Sequence, residues 1–338
     1  MRPTIKDIAE AVGVTHGVVS SVLNGTSGRV RASEETAERI RRVAKELGYH
    51  PSTFARSFRS SQTNAIGVLH GDGLVRLRLD GDSRYFASLM DGIIDGAFKH
   101  GYTVAMCPRL MGNAYMGALA DGRFDGYIWY STNPIEEAFN AIKKCPYPIV
   151  LIHSPASDFD YKIPTVICDN VGGVRLALDH LKSFNHRKIA FASNHTFEFT
   201  ESRLRRDAFV SQGTEMGLEL TLADTSRGVD HLVEDWVRNR NYTAIIAHNE
   251  GLAAAIMSSV QGRGFAIPDD LSVVGFDSTA FCLLSNPPLT SVAQPLGELG
   301  QLAVERLVEI LSGKDPQIET VLPCTFDIRG STGPARCP

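Results

Sequence analysis

Two periodicities divide the chain. Through residues 1–50, apolar positions recur three and four apart. Ile5, Ile8, Ala9 and Val12 make one stripe, Val18, Val19, Val22 and Leu23 a second, and Ala37, Ile40, Val43, Ala44 and Leu47 a third. This spacing predicts three short amphipathic helices. Thr4, with Asp7 three residues on, forms a capping box for the first, and Gly13 ends it in a left-handed turn. Thr15 caps the second, "HGVVSSVLN", and Asn24-Gly25 closes it. Ser33 followed by Glu34 and Glu35 starts the third. Two short helices meeting across a tight glycine turn are the helix-turn-helix pattern. Beyond residue 64 the pattern changes. Apolar β-rich runs such as "AIGVLH", "GYIWY", "PIVLIH", "KIAFAS" and "LSVVGFD" alternate with stretches such as "RYFASLMDGIIDGAFKHG" and "NEGLAAAIMSSVQGRG". That alternation predicts parallel sheets covered by helices on both faces. Ligands in such sheets sit at the carboxyl ends of strands.

Between the two regions lies "STFARSFRSS", residues 52–61, where Phe54 and Phe58 stand four apart among arginines and serines. That spacing puts both on one helical face, yet the segment is too short and polar to hold a helix alone.

Charge sharpens the division. Residues 1–62 carry ten Lys and Arg against six Asp and Glu; the remainder carries 24 against 32. A basic head on an acidic body fits a nucleic-acid-binding module fused to one that binds something else. The hydrophobic content of 43% and charged content of 21% are those of soluble globular proteins. No apolar run approaches the roughly 20 residues of a membrane span, and the N-terminus has no signal-peptide core, so no membrane partner and a cytoplasmic location are expected. The six cysteines form no CxxC pair, which argues against a zinc site. No GxGxxG follows a strand and no GxxxxGK[ST] occurs, so no nucleotide cofactor is expected. "NHTFEFTE" offers His195, Glu198 and Glu201, one ligand short of a metal site. The scattered histidines suggest no catalytic constellation, and no enzymatic activity is expected.

The stretches "TIKDIAEAVGVTHGVVSSVLNG" and "SEETAERIRRVAKELGYHPSTFARSFRSSQTNAIGVL" resemble the head and hinge of the lactose-repressor (LacI) family, and the order of elements in the body is similar to that family's. The resemblance implies a small all-α helix-turn-helix head at 1–50, a hinge helix and linker at 51–63, and an α/β periplasmic-binding-protein-like body at 64–333. The body would comprise two parallel-sheet subdomains, about 64–167 plus 297–326 and 168–294 plus 327–333. It implies a homodimeric transcription regulator, a repressor, whose heads bind double-stranded operator DNA. A small-molecule effector between the subdomains would couple to DNA affinity through one two-state element.

Site residues follow by position. In the head they are Thr4, Thr15, His16, Gly17, Ser20, Ser21 and Asn24, with the early residues of the second helix meeting base edges in the major groove. Ser21 stands where Arg or His is common, so operator identity does not transfer from relatives. Arg29 and Arg31 read either as phosphate contacts or as exposed loop charges. In the hinge, Phe58 takes the place of a leucine that wedges into the minor groove, flanked by Arg56 and Arg59. The effector set implied is Tyr85, Phe86, Tyr130, His153, Arg205, Asn249, Asp277 and Gln294. His153 stands where an acidic residue is common. Asp accepts, Arg donates and Asn does both, which suits the paired hydroxyls of a sugar or sugar derivative. A nucleobase stacked on Phe86, or another metabolite acting as corepressor, is the alternative.

Overall fold

A computed structural model describes residues 3–24, 32–50, 62–70, 83–107, 119–130, 140, 142–158, 162–194 and 200–336. Arg29, Arg31, Phe54, Arg56, Phe58 and Arg59 lie outside these. The chain divides into two compact units, Met1–Asn64 and Ala65–Pro338.

The first unit holds α1 (Ile5–Val12), α2 (His16–Asn24) and α3 (Glu34–Glu46). The expected capping box forms: the Thr4 N–H donates to Asp7 Oδ2 at 2.7 Å, and the Asp7 N–H donates to Thr4 Oγ1 at 3.4 Å. Gly13 ends α1 at φ 74°. Ser33 caps α3 by accepting from the Thr36 N–H at 3.3 Å. The three apolar stripes converge on Ile8, Ala9, Val12, Val19, Ile40 and Ala44. Leu47, expected within the third stripe, is 43% exposed. It is the C-terminal capping residue of α3, past the turn whose apolar face meets α1 and α2.

The second unit contains two six-stranded sheets. The first runs β11 (Glu319–Leu322), β5 (Thr165–Cys168), β4 (Ile149–Ile152), β3 (Gly126–Tyr130), β1 (Ala65–His70), β2 (Thr103–Cys107), with every neighbouring pair parallel. The second runs β12 (Thr325–Asp327), β10 (Thr290–Ala293), β9 (Ser272–Asp277), β8 (Ala244–Ala247), β6 (Lys188–Ser193), β7 (Glu219–Asp224), parallel except for β12 on β10. The helices are α4 (Ser83–Lys99), α5 (Asn170–Ser183), α6 (Thr200–Glu215), α7 (Val229–Asn239), α8 (Glu250–Gln261) and α9 (Leu296–Leu311). The central strands are apolar on both faces because each face is covered. One core on the first sheet joins Ile66, Ile128, Val150 and Val166 to Leu89 and Ile93 of α4 and Leu299 and Leu307 of α9.

The chain passes between the sheets three times: from β5 into α5, from β10 into α9, and from β11 into β12. The last passage falls at residues 323–324, because Thr325 and Phe326 already pair with Ala293 and Val292 of the second sheet. The sequence placed them with the first. Helices α4 and α9 meet backbone to backbone. A Cβ on Gly92 would collide with the Gly297 carbonyl, and one on Gly300 with the Leu89 carbonyl. No helix among the described residues is long and apolar enough to cross a membrane.

Candidate functional site

In the head, the exposed start of α2 presents Thr15, His16 and Gly17, with Ser20 and Ser21 half-buried one turn on. His16, Gly17 and Ser20 follow helical spacing and share a face. Thr4 is exposed, and its hydroxyl is engaged by Asp7 at 2.9 Å.

In the body, the strand carboxyl ends of the two sheets hold the second set. His153 follows β4, and Asp277 ends β9. Their φ angles are 75° and 96°, and Ser278 follows at 54°. Left-handed backbone at such non-glycine residues costs about 1–3 kcal/mol each and collects where geometry is held for function.

Arg205 of α6 is the hub and is 3% exposed. Its Nε donates to Asn170 Oδ1 at 2.7 Å and its Nη1 to the His248 carbonyl at 2.6 Å. The guanidinium lies 3.7 Å over the Phe276 ring, a cation–π contact. Glu201, one turn earlier on α6, and Asp277 each stand 3.6 Å from it. Glu201 Oε1 is also 2.9 Å from His153 Nδ1, and His153 Nε2 is 2.7 Å from the Tyr85 hydroxyl. Tyr130 presents its ring edge-on to His153 at 5.3 Å and packs on Phe86 at 5.8 Å. Gln294 Nε2 donates to Asp277 Oδ1 at 2.6 Å. The structure therefore brings together Tyr85, Phe86, Tyr130, His153, Arg205, Asp277 and Gln294. Asn249, two residues past β8, is engaged differently: its Oδ1 caps α8 by accepting from the Leu252 N–H at 2.8 Å.

The two carboxylates beside Arg205 are pulled in opposite directions. Burial would raise Glu201, but the charges of His153 and Arg205 outweigh it and hold the carboxyl below its ordinary value. Burial pushes Asp277 up to about 7; Arg205 opposes this, but Glu250 and Glu201 add to it. The difference lies in the company each keeps. Glu201 faces Arg205 and the His153 ring, whereas Asp277 shares Arg205 and faces two carboxylates. Burial pushes His248 down to about 4, helped by Arg205.

Glu201, Asn170 and His248 were not in the site read from sequence. Glu201 stands four before Arg205, the spacing that pairs charges on one helix face, and that signal was available. Asn170 follows β5 and His248 follows β8, and neither carries a local signature. Ser193 Oγ, Ser202 Oγ, Arg205 Nη2 and Gln294 Oε1 are buried without a hydrogen-bond partner. Gln294 also lines a cavity of about 360 Å³, together with Ser88, Asp277, Ser278, Thr279 and Glu298. Orphaned buried donors and acceptors are rare, and a hydroxylated molecule supplies both kinds of partner.

Comparison with known proteins bears on both units. Residues 4–52 match the lacI family of bacterial regulatory proteins, and residues 178–332 the periplasmic binding protein-like domain. The chain is similar to the HTH-type transcriptional repressor PurR of Aliivibrio fischeri (strain ATCC 700601 / ES114), with 31% identity over 333 residues covering 92% of this chain and 93% of that one. Its fold is similar to that of the lac repressor dimer bound to operator and the anti-inducer ONPF, with a TM-score of 0.82, 23% identity, and coverage of 98% and 100%. It is also similar to a LacI family transcriptional regulator from Enterococcus faecium with bound ribose, with a TM-score of 0.68, 26% identity, and coverage of 80% and 100%.

Proposed function

Because the chain belongs to the lacI family of bacterial regulatory proteins, we propose that it is a DNA-binding transcriptional repressor, acting as a dimer, whose operator affinity a small molecule controls. The observation that carries this reading is the pairing within one chain of a helix-turn-helix head and a buried polar cleft between two parallel sheets. In the head, the α2 face of His16, Gly17, Ser20 and Ser21 meets base edges. Serine discriminates bases less than arginine, which takes guanine bidentately. The hinge reading of Phe58 as a minor-groove wedge, with Arg56 and Arg59 on phosphates, rests on sequence resemblance.

In the cleft we assign the effector to Arg205, Asp277, Gln294 and His153, with Tyr85, Phe86 and Tyr130 as the apolar wall. A sugar or sugar derivative fits best. The partnerless Ser193, Ser202 and Gln294 atoms call for hydroxyls, and aromatic rings stack on the apolar face of a sugar ring. A relative's bound ribose supports the same chemistry. No catalytic role is assigned to the buried histidines.

Two measurements test the reading. Footprinting across the promoter of its own gene is expected to show a protected near-palindrome; uniform, sequence-independent protection would defeat the repressor assignment. A thermal-shift screen of sugars and nucleobases is expected to single out a sugar, since a ligand at 100 times its dissociation constant adds about 2.7 kcal/mol. Arg205→Ala is expected to abolish that shift. Arg205→Lys, which keeps the charge but loses the planar fork, serves if the alanine variant does not fold. An undiminished shift in either removes Arg205 from the site.

A further inference from the structure

Two thiols stand where the chain passes between the sheets. Cys168 is the last residue of β5, at the first passage, and Cys324 lies in the third, between β11 and β12. Strand pairing brings them together. Leu322 of β11 lies opposite Cys168, and the Asp169 N–H donates to the Leu322 carbonyl at 2.7 Å. Cys324, two residues on, packs against the cores of both sheets, and a Cβ on Gly173 of α5 would come within 3.4 Å of the Cys324 Cβ. There the two thiols are hydrogen-bonded to each other. Their exposures differ. Cys168 is 1% exposed, whereas Cys324 is half-buried. The bond to Cys324, and after it burial, hold the Cys168 proton on well above the ordinary thiol range. Cys324 is therefore the sulfur that an oxidant from solvent meets first, with Cys168 beside it.

We propose that Cys168 and Cys324 form a redox-active dithiol, which a peroxide converts to a disulfide that ties the first passage to the third. The peroxide O–O bond breaks: one oxygen joins the Cys324 sulfur as a sulfenic acid, and the other leaves as water. The Cys168 sulfur then bonds to the Cys324 sulfur, and the sulfenic hydroxyl leaves with the Cys168 proton as a second water. Two thiols are oxidised and one peroxide is reduced. Where thiols are otherwise kept reduced, such a disulfide is transient and serves sensing rather than folding. Because it links two of the three connections between the sheets, it limits how far one sheet can turn against the other.

The test uses the full-length protein and hydrogen peroxide. Brief treatment, thiol blocking and peptide mass mapping without reductant are expected to show residues 168 and 324 in one cross-linked peptide pair that has lost two hydrogens. The cross-link is expected to form at least about tenfold faster than any modification of Cys145 or Cys282, and dithiothreitol is expected to restore both thiols. The oxidised protein is expected to melt at a higher temperature than the reduced one, because the bond constrains the unfolded chain. Cys324→Ser is expected to abolish the cross-link and leave Cys168 a thiol. Four results overturn the proposal. They are Cys324 ending as a sulfinic or sulfonic acid beside an unmodified Cys168, a disulfide from either residue to any other cysteine, both thiols intact after a dose that oxidises Cys145 or Cys282, and a lower melting temperature on oxidation. The wild-type map decides the matter even if the serine variant does not fold.

Discussion

Asp277 and His248 hold opposite pH ledgers within one cluster. The Asp277 carboxyl is pushed up to about 7, first by burial, so between about pH 4 and 7 the folded protein holds a proton that the unfolded chain has released. Stability from this group therefore falls as pH rises through that window. The His248 ring is pushed down to about 4, also by burial. Between about pH 4 and 6.5 the unfolded chain is the one that binds the proton, so this contribution grows as pH rises. Asp277→Asn removes the first and leaves the second. Its melting temperature is expected to rise relative to wild type between pH 4 and 7, by the equivalent of on the order of 4 kcal/mol. Parallel melting profiles for the two proteins would refute the assignment. At this scale the family resemblance, rather than spacing, pointed to Arg205, Asp277 and Gln294, which the structure places in one cluster. Glu201 was not read as part of it, because its partner His153 lies 48 positions away in sequence and only the folded chain brings the two sides together. Asn249 stands two residues past its strand, and local physics engages its side chain in capping the helix that follows.

Two glycines show how differently the same residue serves two helices. A Cβ on Gly17 of α2 would find only Thr15 Oγ1, at 3.9 Å. Gly17→Ala is expected to stabilise the head by about 0.5–1 kcal/mol through helix propensity, while its methyl group alters the face assigned to DNA. Unfolding of the head followed by exchange, with operator titration alongside, separates the two effects; loss of head stability would show that Gly17 is there for folding. A Cβ on Gly92 of α4 meets the Gly297 carbonyl of α9, which cannot rotate away. Gly92→Ala is expected to push α4 and α9 apart and cost about 1–3 kcal/mol, read as a fall in melting temperature. An unchanged melting temperature would mean that the helices have room to slide. The apolar periods displayed the existence of these helices and their buried faces. They could not display which helix α4 packs on, because α9 lies some 200 residues further along the chain.

At the scale of the whole molecule, alternating strand and helix patterns foresaw parallel sheets, the family resemblance implied their division into two, and the charge distribution separated head from body. The exact residue at which the chain changes sheets was not legible. β12 is three residues long and pairs antiparallel at an edge, too short for any period to register. Neither sheet is built from one continuous stretch. A chain ending at residue 294 would lack α9 and β11, leaving Ile66, Leu89, Ile93 and Val150 without Leu296, Leu299 and Leu307. Such a truncation is expected to lose cooperative unfolding and to be cut rapidly in limited proteolysis. A sharp thermal transition would show that the first sheet folds without its last helix.

The three passages between the sheets also set an order of events on the ribosome. The first sheet lacks its final helix and edge strand until residue 322 has been made, and the second lacks its edge strand until residue 327. Through most of synthesis both halves wait, with apolar faces open, for the same last few dozen residues. The head needs only its own three helices and can fold long before. A nascent chain thus completes its helix-turn-helix head well before its cleft, and premature stops in the last eighth of the message would leave chains with a folded head and an unfinished body.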